Sequence, residues 1–504
     1  MLFNSAIFIF AFLPAALTGC FAAARGSRAA AMLWLVAASL VFYGWWNPAF
    51  LTLLGASVGA NYALSRAILA NAARPRWQSW LLGAGVAGNL AMLVHYKYLA
   101  AILGFLRTQG MTDISFADPI LPLGISFFTF TQIGYLLDCR GGKAAARGPL
   151  DYALFVTFFP HLIAGPVLHH REIMPQFAAP AAFRPSAENI AIGIGFFTLG
   201  LLKKCLLADP LSAVVAPGYA HADSLALLGA WQVALSYSLQ LYFDFSGYSD
   251  MAMGLARMFN LRFPVNFNSP YKARSVIDYW QRWHMTLTRY LNLYLYNPIA
   301  LAILRRRAAR GLPADRAAQA SPGGFAAMVA VPIFVTMGVA GIWHGAGATF
   351  LVFGLLHAAY LSLNHAWRIL RPATAPARGA SAVVWRVGLT YLAVLVGSVF
   401  FRAPSLGAAL HMLAGMAGLH GAGLALPAGG KATLRALQDV LWLAALYAIV
   451  WGMPNSQQIM GQAKDGLARL TWRPSMPWAI GMGLAAGIGL LSIGGTGEFL
   501  YFQF

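Results

Sequence analysis

Long apolar runs alternate with short polar or basic loops along the whole chain. A helix that crosses a bilayer needs about 20 consecutive, mostly apolar residues. The runs that approach this length are 2–24, 31–46, 50–70, 80–106, 120–137, 152–168, 190–207, 225–242, 290–304, 326–342, 349–363, 383–401, 440–451 and 478–491. Because several are shorter than a full span, we expect some to be tilted or re-entrant. The pattern predicts an all-α polytopic membrane protein with about 11–14 transmembrane or re-entrant helices.

The composition supports this interpretation. Of 504 residues, 59% are hydrophobic and only 10% are charged, and the mean hydropathy is +0.63, whereas soluble domains have about 25% charged residues. No basic segment precedes the first apolar run, so we interpret it as a retained helix rather than a cleaved signal peptide. The aromatic residues 501–504 suit a membrane interface.

The formal net charge of +20 raises the question of a nucleic-acid partner. The basic residues, however, sit mainly in short loops between apolar runs, as they do in the cytoplasmic loops of membrane proteins. Their alternation places the loops at 25–28 and 66–76 in the cytoplasm and the N-terminus outside. We therefore expect lipid head groups and a phosphorylated donor as partners, and no nucleic acid.

The three cysteines carry no recognisable chemistry. Cys20 and Cys205 lie in apolar runs and Cys139 lies at the end of one. Their spacing fits neither a zinc site nor a disulfide framework. None adjoins a histidine in a motif, which argues against a catalytic thiol.

The stretch 240–298 differs from the rest of the chain because it mixes charged, amide and aromatic side chains. So many polar groups beside apolar helices need internal partners or water. The stretch predicts a polar funnel, or short interfacial helices that line a cavity. The alternative is a helix lying flat on the cytoplasmic surface, anchored by Arg and Trp.

Two histidines stand out against this background. His344 lies inside an apolar stretch, at Gly341–Gly345, and His284 follows the polar, aromatic-rich segment. Burying an unpartnered polar group costs roughly 2–7 kcal/mol, so an ionisable residue at membrane depth is by default a functional candidate. The pair indicates acid–base chemistry within a membrane protein.

Each of these residues also has a structural interpretation. His344 could pack against a neighbouring helix, and His284 could be an interfacial anchor. Asp244 and Asp250 could be carboxylates of the tunnel, but we favour structural ion pairs with Arg274 or Arg282. The pair His169 and His170 looks metal-like, but we interpret it as part of a loop that follows a helix, and we predict no metal site.

Six ordered stretches resemble the membrane-bound O-acyltransferase family, in particular its bacterial branch for alginate O-acetylation and teichoic-acid D-alanylation. They are 122–127 (PLGISF), 159–166 (FPHLIAGP), 242–250 (YFDFSGYSD), 266–271 (NFNSPY), 278–287 (DYWQRWHMTL) and 341–345 (GIWHG). Each stretch alone is weak, but the ordered set is specific.

The resemblance implies a helical core around a tunnel, in which a cytoplasmic donor funnel meets an external acceptor opening. It divides the chain into N-terminal transmembrane helices at 1–110, a catalytic core with the polar funnel at 111–370, and C-terminal transmembrane helices at 371–504. His344 would be the catalytic histidine, with His284 as the second histidine of the tunnel. Substrate would contact residues of the matched stretches and the funnel, namely Trp343, Gln281, Arg282, Asn268, Asp244, Ser246 and Tyr248.

The implied reaction is acetyl transfer from acetyl-CoA to a hydroxyl, without a bound cofactor. A neutral imidazole can accept the hydroxyl proton, and Gln281, Asn268 or His284 could stabilise the oxyanion. The branch uses periplasmic partner proteins to acetylate an exported polysaccharide of the alginate or cellulose type. The Arg-Asp pair usual after the second histidine is missing from 290–294, which leaves acceptor and partner open.

One other function class stays open at this point. A transporter or flippase for a lipid-linked sugar could use the histidines as proton relays. It would be expected to contain inverted repeats with paired broken helices, and no internal repeat is visible in the sequence.

Overall fold

The computed structural model describes residues 1–114, 116–117, 119–371, 379–423, 430–463, 470–494 and 499–500. Within these ranges the chain is helical and has no β-strand. The predicted all-α class is confirmed. The aromatic C-terminus at 501–504 lies outside the described residues.

The chain forms two compact units. The first contains Met1–Leu206, Phe245–Asn266 and Ser456–Gln503, and the second contains Leu207–Asp244 and Phe267–Asn455. These units are interleaved in sequence. The functional division at residues 110 and 370 stays a prediction.

The first unit contains helices from both ends of the chain. They are α1 (Leu13–Gly26), α2 (Arg28–Gly44), α3 (Phe50–Ala70), α4 (Pro75–Lys97), α5 (Leu99–Thr108), α6 (Ile125–Arg140), α7 (Pro149–Thr157), α8 (Phe159–Leu162), α9 (His170–Phe177), α10 (Ala187–Leu202), α23 (Ser456–Ile459) and α24 (Met476–Leu491). The 32-residue α12 (Leu227–Met258) contributes its last part, from Phe245 onward.

Polar side chains inside the first unit bond between helices. The Asn89 side chain on α4 donates to the Asn61 side chain on α3 at 2.7 Å. The Gln132 amide on α6 donates to the Ser57 hydroxyl on α3 at 2.9 Å, and the Tyr152 hydroxyl donates to Gln132. Because hydrocarbon offers no partners for polar groups, such bonds fix helix neighbours in a membrane protein.

Glycines let α10 and α12 approach closely within the first unit. A Cβ atom on Gly200 would lie 2.4 Å from the Gly247 carbonyl oxygen, and one on Gly254 would lie 2.5 Å from the Gly193 carbonyl oxygen. Any larger residue at either place would push the helices apart.

The second unit holds most of the remaining helices. They are α11 (Ser212–Ala220), the first part of α12, α13 (Val276–Trp280), α14 (Met285–Leu291), α15 (Asn297–Ala309), α16 (Arg316–Ala320), α17 (Pro322–Phe325), α18 (Val331–His344), α19 (Ala348–Leu370), α20 (Ala380–Arg402), α21 (Leu406–Met416) and α22 (Gly430–Gly452). Ser275 caps α13 by accepting from the Asp278 backbone N–H at 3.1 Å, which fixes where this short helix begins.

Five helical segments of the described chain are long and apolar enough to cross a membrane. They are Phe8–Gly26, Ala187–Ala220, Pro322–His344, Ala380–Arg402 and Thr433–Gly452. A sixth span results if α4 and α5, which meet at a 60° bend, count together. The multi-pass character is therefore confirmed, while the expected 11–14 membrane helices include many that are shorter or more polar than a full span.

Candidate functional site

His344 is placed by a close crossing of α18 and α19. A Cβ atom on Gly341 would lie 2.4 Å from the Phe350 carbonyl oxygen, and one on Gly354 would lie 2.3 Å from the Met337 carbonyl oxygen. The two backbones therefore touch where α18 ends. His344 is the last residue of α18, three positions after Gly341, so this crossing sets its position.

The His344 ring lies among aromatic side chains of the second unit. Its centroid is 4.8 Å from the Trp343 ring, 4.9 Å from the Phe401 ring and 6.1 Å from the Phe353 ring. Only 8% of His344 is exposed. An apolar aromatic wall excludes most water from the imidazole and restricts its rotation.

His284 is held in an unusual backbone conformation. It precedes α14 with φ 43° and ψ 51°, in the left-handed region that residues other than glycine rarely adopt. Such a conformation costs about 1–3 kcal/mol and persists where the surroundings enforce it. The residue is 1% exposed, which contradicts the interfacial-anchor alternative.

Burial also fixes the charge of His284. The pKa of its imidazole is lowered far below the usual 6.5 because the charged form would lose its hydration. Its ring stacks at 6.4 Å on Phe267. His284 is therefore neutral at physiological pH. Its ring can donate one hydrogen bond and accept another without placing a positive charge in the site.

The loop before His284 is tied together by Arg282. The Arg282 guanidinium donates to Asp278 Oδ1 at 2.6 Å, and the Arg282 carbonyl accepts from the Asn268 backbone N–H at 2.9 Å. The Asn268 side chain accepts from Asn455 at 2.9 Å. Arg282 and Asn268 thus already have protein partners, whereas Gln281 is exposed toward open space.

The remaining candidates lie on α12. Asp244 belongs to the second unit and Ser246 and Tyr248 to the first, and all three are buried. Tyr248 packs between the rings of Phe3 at 4.8 Å and Phe499 at 4.6 Å. This burial does not fit a surface-lying helix for the part of the stretch that belongs to α12. Whether these residues touch substrate stays a prediction.

The expected ion pairs of the acidic residues need correction. Asp250 pairs with Lys203 at 2.6 Å and accepts from the Ser456 hydroxyl at 2.5 Å, rather than pairing with Arg274 or Arg282. Arg282 pairs with Asp278, four residues earlier on the same segment. The sequence could not show that Lys203 faces Asp250, because the two residues are far apart in the chain.

His169 and His170 converge on Asp138. Their Nε2 atoms lie 3.1 Å and 2.9 Å from Asp138 Oδ2. The Arg171 backbone N–H donates to His169 Nδ1 at 3.2 Å, so a neutral His169 carries its proton on Nε2 and donates it to the carboxylate. A cation would need a lone pair at that nitrogen, and the geometry favours a hydrogen-bonded clamp at the start of α9. The absence of a metal stays a prediction.

A large cavity opens beside this loop in the second unit. Its volume is about 1220 Å³. Five arginines and one aspartate line it, together with the exposed rings of Trp367 and Trp385. The arginines are Arg274, Arg316, Arg368, Arg371 and Arg386. This wall suits an anionic ligand with an aromatic ring.

A second, smaller cavity of about 270 Å³ adjoins the first, and Gln281 lines both of them. Its walls are mostly apolar and include Ile333, Thr336 and Met337 of α18. His344 follows Met337 by seven residues, which is almost two helical turns, so both side chains project from one face about 10 Å apart.

Sequence reasoning missed the convergence of the arginines. Arg368 lies in the last turn of α19, and Arg371 follows the end of that helix. Arg274 and Arg316 are far from these two residues in sequence, and no local pattern brings them together. His357, which is buried and contacts α13 and α20, was not among the predicted site residues.

Comparisons with known proteins agree with this architecture. A sequence model of the membrane-bound O-acyltransferase family matches residues 112–312. The chain is 35% identical to the probable alginate O-acetylase AlgI of Pseudomonas putida, over 100% of both chains. It is 37% identical to the peptidoglycan O-acetyltransferase of Helicobacter pylori, over 84% of this chain and 81% of that protein.

A more distant relative broadens the group. The chain is 27% identical to the teichoic acid D-alanyltransferase of Bacillus subtilis, over 57% of this chain and 72% of that protein. The match with the alginate relative runs through the whole chain, including the His344 segment beyond residue 312. This protein is therefore a multi-pass membrane acyltransferase that belongs to the membrane-bound O-acyltransferase family.

Proposed function

We propose that this protein is an O-acetyltransferase that takes the acetyl group from cytoplasmic acetyl-CoA and passes it across the membrane for O-acetylation of an exported polysaccharide. The observation that carries the proposal is the position of His344. It ends a 23-residue apolar helix, lies among aromatic rings, and shares a helix face with residues that line the smaller cavity.

The donor would bind in the arginine-lined cavity. Coenzyme A carries a diphosphate, a ribose phosphate and an adenine, which match the arginines and the tryptophans of this wall. The smaller cavity would take the uncharged thioester arm past Gln281 toward His344. The volume of about 1220 Å³ is ample for a nucleotide.

The reaction needs one proton acceptor. The acceptor oxygen attacks the thioester carbonyl, a C–O bond forms, and His344 takes the hydroxyl proton. When the tetrahedral intermediate collapses, the C–S bond breaks and His344 returns the proton to the leaving thiolate. Gln281 and His284 are the candidates for stabilising the oxyanion, and such a donor is typically worth about 10²–10³ in kcat.

The names of the relatives support a carbohydrate as the acceptor class. The proteins that match over most of this chain are named for O-acetylation of alginate or peptidoglycan, so a carbohydrate hydroxyl is the terminal acceptor that we propose. Periplasmic partner proteins would relay the group. The protein would lie in a bacterial inner membrane with its N-terminus in the periplasm, because the basic loops at 25–28 and 66–76 suit the cytoplasm.

The test uses the ester-linked acetate of the secreted polysaccharide. A deletion strain is complemented with wild type, His344→Ala or the control His221→Ala, which alters an exposed histidine. Inside-out membrane vesicles from the same strains are supplied with radiolabelled acetyl-CoA. We expect wild type and the control to restore the acetate and consume the donor, and His344→Ala to lower both at least about 10²-fold.

Two results would overturn the proposal. Equal acetate with His344→Ala at equal membrane levels would reduce His344 to a packing residue. Polysaccharide export that stops in the deletion strain, with no change in acetyl-CoA consumption, would instead support the transporter alternative.

A further inference from the structure

His357 is a buried histidine that the proposed reaction does not use. It lies on α19 and is 1% exposed. Its ring contacts Phe353 at 4.7 Å, Trp280 at 5.2 Å and Tyr360 at 5.7 Å. A hydrophobic residue of similar size would fill this space without the free-energy cost of burying a polar ring, so the imidazole calls for a specific explanation.

One nitrogen of this ring has a defined partner. The Trp280 indole N–H donates to His357 Nδ1 at 3.3 Å. An indole nitrogen can only donate, so Nδ1 must be the acceptor and a neutral His357 carries its proton on Nε2. If both ring nitrogens of His357 were protonated, its Nδ1–H group would face the Trp280 indole N–H, and two donors would oppose each other. The position therefore requires an uncharged acceptor.

The other side of the ring meets α20. A Cβ atom on Gly397 would lie 2.6 Å from His357 Nε2. The missing side chain at Gly397 provides the space for the imidazole. His357 is thus clamped between Trp280 at the end of α13 and the backbone of α20.

His357 also links the two candidate catalytic histidines. Phe353 contacts both His344 and His357, while Tyr279 stacks on His357 at 6.4 Å and on Trp283 at 5.7 Å. Trp283 then contacts Phe267, which stacks on His284. These rings form a continuous column within the second unit, and His357 is hydrogen-bonded to Trp280 at the end of α13.

We propose that His357 is a positioning residue for the acyl transfer, and this inference rests on the proposed function of His344. By accepting from Trp280, it fixes the end of α13 and hence the Gln281–His284 loop. Through Phe353 it holds one wall of the His344 pocket. In this role His357 would act through Trp280 and Phe353, without touching the substrate or the reacting atoms.

The test removes each end of the hydrogen bond separately. His357→Phe keeps a ring but loses the acceptor, Trp280→Phe loses the donor, and His357→Asn restores an acceptor oxygen near the Nδ1 position. Acetyl-CoA consumption by inside-out vesicles gives kcat and KM, with His221→Phe as the matched control. Because small misplacements of reacting groups cost about 10²-fold, we expect kcat to fall 10- to 100-fold in both Phe variants.

The pattern across variants separates positioning from packing. KM for acetyl-CoA should change less than about threefold, His357→Asn should recover most of kcat, and the double variant should be no worse than either single one. Wild-type kcat in His357→Phe would overturn the inference. So would equal losses in the Phe and Asn variants together with equally lowered thermal midpoints, because such losses indicate packing alone.

Failure of the proposed function would look different. It would appear as an active His344→Ala variant, whatever the behaviour of His357. If His357→Phe does not accumulate in the membrane, Trp280→Phe decides the question, because it breaks the same bond from the other side and keeps the histidine in place.

Discussion

At the scale of single residues, His284 makes the free energy of unfolding depend on pH. Its pKa in the folded protein is lowered far below 6.5 by burial, whereas in the unfolded chain it is ordinary. Above pH 6.5 both states are neutral and His284 adds no pH dependence. Below pH 6.5 the unfolded state binds a proton that the folded state refuses, so the free energy of unfolding falls by up to about 1.4 kcal/mol per pH unit.

We therefore predict that His284→Asn flattens the pH dependence of stability. Asn tolerates the left-handed backbone at this position and does not titrate. The measurement is the thermal midpoint in detergent at pH 7.5 and pH 5. The decrease on acidification should be smaller in the variant than in wild type, and the buried His170, whose pKa is also lowered, keeps part of the decrease in both. Parallel curves for the two proteins would show that His284 is not the buried neutral group described.

The residue scale also shows what sequence alone can give. An ionisable side chain in an apolar run identifies His344 directly, because the cost of burying it is general. The same reasoning did not separate His284 from an interfacial anchor or assign a role to His357, because burial depends on helices far away in sequence. The predicted ion-pair partner of Asp250 was wrong for the same reason.

At the scale of elements, the crossing of α18 and α19 holds the candidate site. We predict that Gly354→Ala lowers the thermal midpoint and the acetyl-CoA turnover together. Its Cβ atom would lie 2.3 Å from the Met337 carbonyl oxygen, and a rigid backbone cannot yield as a side chain can. Overpacking of this kind typically costs about 1–3 kcal/mol.

A matched glycine supplies the control for this experiment. A Cβ atom on Gly388 of α20 would meet nothing within 4 Å. Gly388→Ala should leave the midpoint unchanged or raise it slightly, because Ala favours helix by about 1 kcal/mol. Turnover per folded molecule should fall only in Gly354→Ala. Equal behaviour of both variants would mean that the crossing does not set the position of His344.

Element boundaries were predictable where composition changes sharply. The apolar run at 326–342 corresponds to the observed span Pro322–His344, and the run at 383–401 to Ala380–Arg402. The run at 80–106 was expected as one element, yet it breaks at Tyr98 into α4 and α5. Hydropathy averages over such a bend, because it measures apolar content and carries no information on direction.

At the scale of the whole molecule, the basic residues behind the net charge of +20 act in two ways, as a general surface charge and as a local binding site. Basic loops attract any anion near the surface, and salt screens that attraction within about 10 Å at 0.1 M. The arginine-lined cavity would instead bind phosphate groups through charge-assisted hydrogen bonds. The interleaving of the two compact units, which places α1 and α24 in one unit, was not predictable from hydropathy, because hydropathy does not encode which helices pack together.

Local and general charge can be separated with donors of different charge. We predict that Arg368→Ala combined with Arg386→Ala raises KM for acetyl-CoA at least about 100-fold, since each hydrogen bond to a charged group contributes about 1.5–3 kcal/mol and about 1.4 kcal/mol corresponds to a factor of ten. With S-acetylpantetheine, which has the thioester but no phosphate, the same variant should match wild type. Arg306→Ala removes an exposed arginine that does not line the cavity, and it should change KM for neither donor. If both variants changed KM equally, the attraction would belong to the surface as a whole, and the donor would have to enter elsewhere. A KM increase that persists with S-acetylpantetheine would mean that the arginines shape the cavity instead of binding the phosphates.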